Sequence, residues 1–370
     1  MLVGIGACTA NPAAKAQVVE EPVDSTKRIS LLFAGDLMMH APQFNAAKVS
    51  GGGYDFSDCF AAMKAEIEDA DVAIANFETT TAGAPYSGYP QFCAPDEYLV
   101  AIKDAGFDLL TTNNNHSCDR RAKGIDRTIH LMDSLGISHL GTYINEAERQ
   151  KQYPYLLEKN GMRIVLLTYT YGTNGIPVPE GKVVNLIDKE QMTKDIQKAK
   201  QMKPDAIIAI MHWGTEYTMK PVKSQVELAD WLLSQGVTHI IGGHPHVVEP
   251  LELRTDSVTG EKHVVAYSMG NFISNMIPTP AKTTDGGMII RFELVKDSTV
   301  HVEDVRYSLQ WVSRPNMSGK KVHRVLPVNI PQDQLNNSEK STMKRFLDRV
   351  RPVFASGNKG EVREYENKLK

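Results

Sequence analysis

With 370 residues, 42% of them hydrophobic and 23% charged, the chain can bury one large α/β core with an appendage, or two ordinary domains, without a disulfide framework. A formal net charge of −3 supplies no broad positive field, so nucleic acid is not an expected partner. Past the first residues no apolar run approaches the ~20 needed to span a bilayer, so any membrane link must come from the N-terminus.

The N-terminus is apolar and small from Met1 to Ala7, reaches Cys8, and turns polar from Thr9 to Lys27. It resembles a bacterial lipoprotein signal cut just before Cys8, although it has no basic n-region and its apolar stretch is short. Two readings stay open: a lipid anchor at Cys8 on an exported, cell-envelope protein, or a plain apolar tail. Setting Cys8 aside leaves Cys59, Cys93 and Cys118, an odd number that permits one bridge, Cys59 with Cys93.

In chain order, Ile29 to Ala34 reads as a strand stopping at Gly35-Asp36, where the glycine permits a sharp exit. A helix is expected from Ser57 to Asp69, then a strand from Val72 to Ala75 ending in Asn76-Phe77-Glu78. Pro95 opens a helix that Gly106 stops, and Asp108 to Thr112 is a strand reaching Asn113-Asn114-Asn115-His116. A helix ending near Gly136 precedes a hairpin turning at Asn160-Gly161 and a strand from Arg163 to Tyr169. A helix from Lys189 to Lys200 leads to the strand Ala206 to Ile210, which delivers His212. A helix from Val222 to Ser234 leads to His239 to Ile241, which delivers Gly243-His244-Pro245-His246. After Gly287 come two strands, Met288 to Val295 and Val300 to Leu309, an irregular stretch, and a charged helix from Ser338 to Val353. The alternation predicts an α/β core whose ligands bind beyond the carboxyl ends of the strands. The expected organisation is a signal-like tail and linker at 1–27, a main domain at 28–285, and C-terminal elements at 286–370 completing or flanking the core.

Five strand ends thus carry Asp, Glu, Asn or His. This donor set suits a borderline divalent cation such as Mn, Fe or Zn, since imidazole and oxygen ligands both favour those metals. The metal candidates are Asp36, Glu78, Asn115, His212, His244 and His246. Two ions roughly 3.5–4 Å apart can clamp both oxygens of a hydrolytic displacement. Glu78 is the expected bridge, with Asp36 and His244 or His246 on one side and Asn115 and His212 on the other. His116 is the expected proton donor to the leaving group, with Asp119 three residues on to hold its tautomer, and Glu216 is read as supporting His212. Singly these residues have plainer readings, Asp36 as a helix cap or turn former above all. His-Pro-His after two glycines is the sharpest element. His130, His139, His239, His263, His301 and His323 are read as structural or exposed.

The segments FAGDLMMH (Phe33 to His40), ANFETT (Ala75 to Thr80), NNNHSCD (Asn113 to Asp119), MHWGTEY (Met211 to Tyr217), GGHPHVVEP (Gly242 to Pro250) and YSMGNF (Tyr267 to Phe272) together resemble the bacterial poly-γ-glutamate capsule-synthesis, CapA-like family. That family is similar to the calcineurin-like metallophosphatases, which implies a four-layered α/β/β/α sandwich around two packed sheets, with metals at their shared edge. By position, Asp36 matches the first-motif aspartate, Glu78 the bridging acid, Asn115-His116 the Asn-His pair, and His212, His244 and His246 the later histidine motifs. Arg121 stands where the family often has Gly. His40 lies four residues after Asp36, unlike the Asp-x-His of metallophosphatases, and its role is left open.

The resemblance implies a capsule or cell-envelope polymer protein of the poly-γ-glutamate type, with a metal-dependent hydrolase site for a phosphoester or γ-glutamyl amide. The expected partner is an anionic polymer or a small phosphoester. Two alternatives stand beside it: a non-catalytic capsule-assembly component that binds metal or polymer, and a metal-dependent phosphodiesterase unrelated to capsule.

Overall fold

The computed structural model describes residues 1–4, 26–279, 282–317 and 319–369; Cys8 and most of the N-terminal linker lie outside them. Two sheets face each other. The larger has nine strands, running in spatial order Arg324–Pro327, Val300–Ser313, Gly286–Lys296, Lys27–Met38, Val72–Glu78, Leu109–Thr111 and Ser138–Leu140, with Asn271–Ile273 beside the Lys27–Met38 strand and Arg363–Glu364 beside Val300–Ser313. The smaller has six, in the order Leu251–Thr255, Lys262–Ala266, His239–Gly243, Ala206–His212, Met162–Thr170 and Tyr155–Lys159.

Strand periodicity builds the layers. Ile29, Leu31, Phe33, Val72 and Ile74 face inward and pack with Ile164, Leu166, Ile208 and Ile240 of the second sheet. The intervening Leu32, Ala34, Ala73 and Ala75 face outward onto Met63, Ile67, Leu99, Ile102 and Met132 of the helices, as a period of two requires. On the far side, Met192, Ile196, Ala229 and Leu232 cover the second sheet. Helices, two sheets and helices therefore form the expected four layers. No helix among the described residues is long and apolar enough to cross a membrane.

The elements depart from expectation at some points and match it at others. The first strand does not stop at Gly35; it runs from Lys27 to Met38 with a register irregularity next to Asp36. Gly35 is required by a close approach, because a Cβ there would overlap the Gly270 carbonyl. The helix expected over 57–69 is two short ones, Ser57–Phe60 and Lys64–Glu68. Cys59 and Cys93 are free, buried thiols, not a disulfide. The hairpin turns at Asn160 (φ 51°) and Gly161 (φ 72°), both left-handed as a two-residue turn demands. Residues 286–313 pair directly with the Lys27–Met38 strand through Gly286–Lys296, so they lie inside the larger sheet.

Candidate metal centre

The site forms where parallel strands of both sheets end together. Asp36 aligns with Asn76, and Met38 with Glu78, between neighbouring strands of the first sheet. Gly243 aligns with His212 in the second. Parallel pairing brings these carboxyl-terminal ends to one edge. His244 (φ 99°) and His246 (φ 58°) follow in left-handed backbone, each at a cost of order 1–3 kcal/mol that surrounding contacts must offset.

Two donor groups result. Asp36, Glu78 and His212, all buried, each offer an atom within 4.8 Å of the others, and so do exposed Glu216 and the buried His244 and His246. Glu216, read from the sequence as supporting His212, is grouped here with the His-Pro-His pair. His246 Nδ1 lies 3.2 Å from Asp36 Oδ2 and 3.0 Å from Asn271 Oδ1. Glu78 Oε1 is 3.8 Å from His212 Nε2 and 3.7 Å from His246 Nε2, while Asn115 Oδ1 lies 2.7 Å from His212 Nε2. His212 and His244 have ring centroids 4.8 Å apart, and Tyr171 covers His244 at 4.4 Å.

The electrostatics of the bare cluster are unfavourable. Burial, then the Asp36 charge, pushes the Glu78 carboxyl well above the usual range. Burial, then His244 and His246, pushes His212 well below the ordinary imidazole value. His244 is lowered to about 3, by burial first and His246 second. Glu78 Oε1 and His244 Nδ1 are buried without a hydrogen-bond partner, and an unpaired buried polar atom costs about 1–3 kcal/mol. A divalent cation fits this donor set, since it stabilises carboxylates and neutral imidazoles together.

The Asn-His stretch divides its labour. Asn113 Oδ1 accepts from Thr168 Oγ1 at 2.6 Å, and Asn114 Nδ2 donates to Phe77 O at 2.9 Å, so both brace the loop while Asn115 faces His212. His116 Nδ1 lies 2.7 Å from Asp119 Oδ2, which also accepts from the Phe92 N–H at 2.6 Å. Phe92 packs edge-on between His116 and His40, at 4.5 and 5.0 Å. His40 falls in neither donor group; its Nδ1 is bonded by the Asn275 N–H at 3.3 Å, and burial lowers it to about 4.

Sequence reasoning missed Asn76 and Asn271 as functional residues. Asn76 Nδ2 donates to Asp36 Oδ1 (2.8 Å) and Glu78 Oε2 (3.1 Å), lying between two carboxylates. Both sat inside recognised segments, two residues before Glu78 and directly after Gly270. That placement was the available signal.

The fold and this edge define a two-sheet α/β protein with a buried carboxylate–imidazole site suited to divalent cations. The chain belongs to the bacterial capsule synthesis protein PGA_cap family, which matches residues 30–276. It is 25% identical over 299 residues to the capsule biosynthesis protein CapA of Bacillus anthracis, covering 77% of this chain and 68% of that one. It is 26% identical over 304 residues to the PGA biosynthesis protein CapA of Bacillus subtilis strain 168, covering 79% and 74%. Among solved structures, the NAD nucleotidase of Haemophilus influenzae superposes with a TM-score of 0.47 at 12% identity, over 93% of this chain and 65% of that one, so this chain spans just under two thirds of that protein. The calcineurin-like phosphoesterase YfkN of Bacillus subtilis gives 0.41 at 16% identity, over 88% and 99%.

Proposed function

We propose that this protein is exported to the cell envelope and acts there on an anionic capsule-type polymer of the poly-γ-glutamate kind, as a metal-dependent hydrolase of a γ-glutamyl amide or phosphoester. The observation that carries the reading is Glu78, a buried carboxylate whose unpartnered Oε1 stands less than 4 Å from both His212 Nε2 and His246 Nε2. Family membership, and relatives named for capsule and PGA biosynthesis, support the polymer. Cys8 is the proposed point of attachment to the membrane.

Asp36, Glu78, Asn115, His212, His244 and His246 would together hold the divalent ions; Mn, Fe and Zn suit these ligands. Such ions, when bound, polarise the scissile group and acidify water. The chain's own residues do the rest. Asn76 holds Asp36 and Glu78 in place by donating to both. Asp119 accepts from His116 Nδ1–H; the imidazolium form passes its Nε2 proton to the departing oxygen or nitrogen and is left as the neutral Nδ1–H tautomer on Asp119. Phe92, edge-on against the ring, fixes its tilt.

The test uses metal-replete protein with a γ-glutamyl oligomer and a phosphodiester as substrates. His116→Ala is expected to lower kcat by roughly 10²–10⁴-fold while metal content stays at the wild-type level. Absence of turnover of both substrates by the replete wild type would reject the hydrolase.

A further inference from the structure

A cation stands near the candidate metal centre: Lys282 directly precedes Thr283 and Thr284, whose oxygens meet Met219 and Asn271. Lys282 Nζ lies 3.7 Å from the centroid of the Tyr217 ring, well inside cation–π range. The Tyr217 ring centroid is in turn 6.3 Å from that of His246, so the ammonium is one aromatic ring away from a candidate ligand. Among the described residues no carboxylate oxygen comes within 4.0 Å of this nitrogen. Glu216, adjacent to Tyr217 in sequence, has a carboxylate oxygen within 4.8 Å of donor atoms on His244 and His246.

Tyr217 is itself held in place. Its φ of 67° is left-handed, a conformation bulky residues rarely adopt, and its N–H donates to the Pro245 carbonyl at 2.8 Å, between the two histidines. Thr283 Oγ1 reaches Met219 Sδ at 3.5 Å. The Thr284 carbonyl accepts from Asn271 Nδ2 at 3.0 Å, and Asn271 Oδ1 faces His246 Nδ1 at 3.0 Å. The platform and the lysine are thus both referenced to His246. An ammonium resting on a ring face keeps its full charge and retains N–H donors for an outside acceptor.

We propose that Lys282, seated on Tyr217, is the anion-recognition residue of this site, taking a carboxylate or phosphate oxygen of the substrate next to the reacting group. It rests on the reading of this edge as a substrate site and deepens it: the enzyme selects an anionic chain through one point charge. A lysine suits repeated, flexible carboxylates, because its ammonium is a point charge with rotatable donors and demands no bidentate geometry.

The test is calorimetric binding to the full, metal-replete chain of three probes: a poly-γ-glutamate oligomer, its fully amidated counterpart, and inorganic phosphate. Wild type should bind the anionic oligomer and not the amidated one, with affinity falling as salt rises. Lys282→Gln should weaken anion binding by about tenfold and flatten the salt dependence, Lys282→Arg should keep most of it, and metal content should be equal in all three. Phosphate binding alone, weakened by Lys282→Gln, would assign the residue to phosphate and overturn the polymer. Unchanged affinities in Lys282→Gln, equal binding of the amidated oligomer, or binding of neither anion by wild type would overturn the proposal. Intact anion binding without turnover would count against the hydrolase reading only.

Discussion

Asn76 illustrates how much of a metal site is decided by residues that touch no metal. Its amide nitrogen donates to Asp36 and Glu78, and its carbonyl accepts from Asn114 Nδ2 at 3.1 Å. Removing such outer contacts generally costs 10–100-fold in metal affinity, so Asn76→Ala should bind a divalent ion about that much more weakly in chelator competition, with its circular dichroism unchanged. Wild-type affinity in the variant would show that the amide is only structural. Glu249 gives a pH-dependent case. Burial raises its carboxyl to about 8, against a Gln225 hydrogen bond that lowers it, and Oε1 has no partner. The unfolded chain therefore releases this proton at lower pH than the native state does, so stability falls as pH rises from the ordinary glutamate range through about 8. Glu249→Gln, which still accepts from Gln225, should melt higher than wild type at pH above 8 and no differently at pH 4; a gain independent of pH would refute the assignment. At this scale the sequence was informative wherever a residue's chemistry is unusual for its place, as with His244 and His246 around Pro245. It was silent where chemistry is common: Asn76 and Asn271, amides on or beside strands, carry nothing in their type or spacing that marks them as partners of Asp36 and His246.

At the scale of elements, the donor atoms converge because strands end in register and one strand does not end where its hydrophobic run does. The apolar stretch from Ile29 to Ala34 was legible as a strand. The continuation through Asp36 to Met38 was not, because pairing with Val72–Glu78 and Asn271–Ile273 carries it, and such long-range partners leave no local pattern. Gly35 sits where that strand passes the Gly270 carbonyl, to which Asp36 N–H donates at 3.1 Å. Gly35→Ala forces the two backbones apart and should cost roughly 1–3 kcal/mol or more, with loss of metal binding as Asp36 shifts. Thermal melting and metal content together check this, and a variant with both intact would remove the close approach from the account. The helix expected over 57–69 is interrupted between Phe60 and Lys64, yet Phe60, Met63 and Ile67 still reach one outer core, so the apolar spacing was legible and the interruption was not.

For the whole molecule, the family match ends at residue 276, yet the larger sheet does not. Gly286–Lys296 lies between the Lys27–Met38 and Val300–Ser313 strands, pairing with Lys27 to Phe33 of the first and with Val300 to Trp311 of the second. A chain truncated after Asp285 would expose Leu31, Leu32 and their neighbours on a bare strand edge, and is expected to be insoluble or molten by near-ultraviolet circular dichroism; a folded truncation would make 286–370 an accessory. The C-terminal strands were legible as strands from their alternation, but their place at the centre of the sheet was not, since strand order is a property of the folded chain. Two sheet edges thus bring their donors together around Glu78. The most direct measurement is the metal content of purified protein by mass spectrometry after dialysis against Mn, Zn or Fe, for wild type and Glu78→Gln. Stoichiometric metal, up to two ions per chain, is expected in wild type and a large loss in Glu78→Gln with the fold retained; less than one ion in wild type, or equal content in both, would contradict a cation site centred on Glu78.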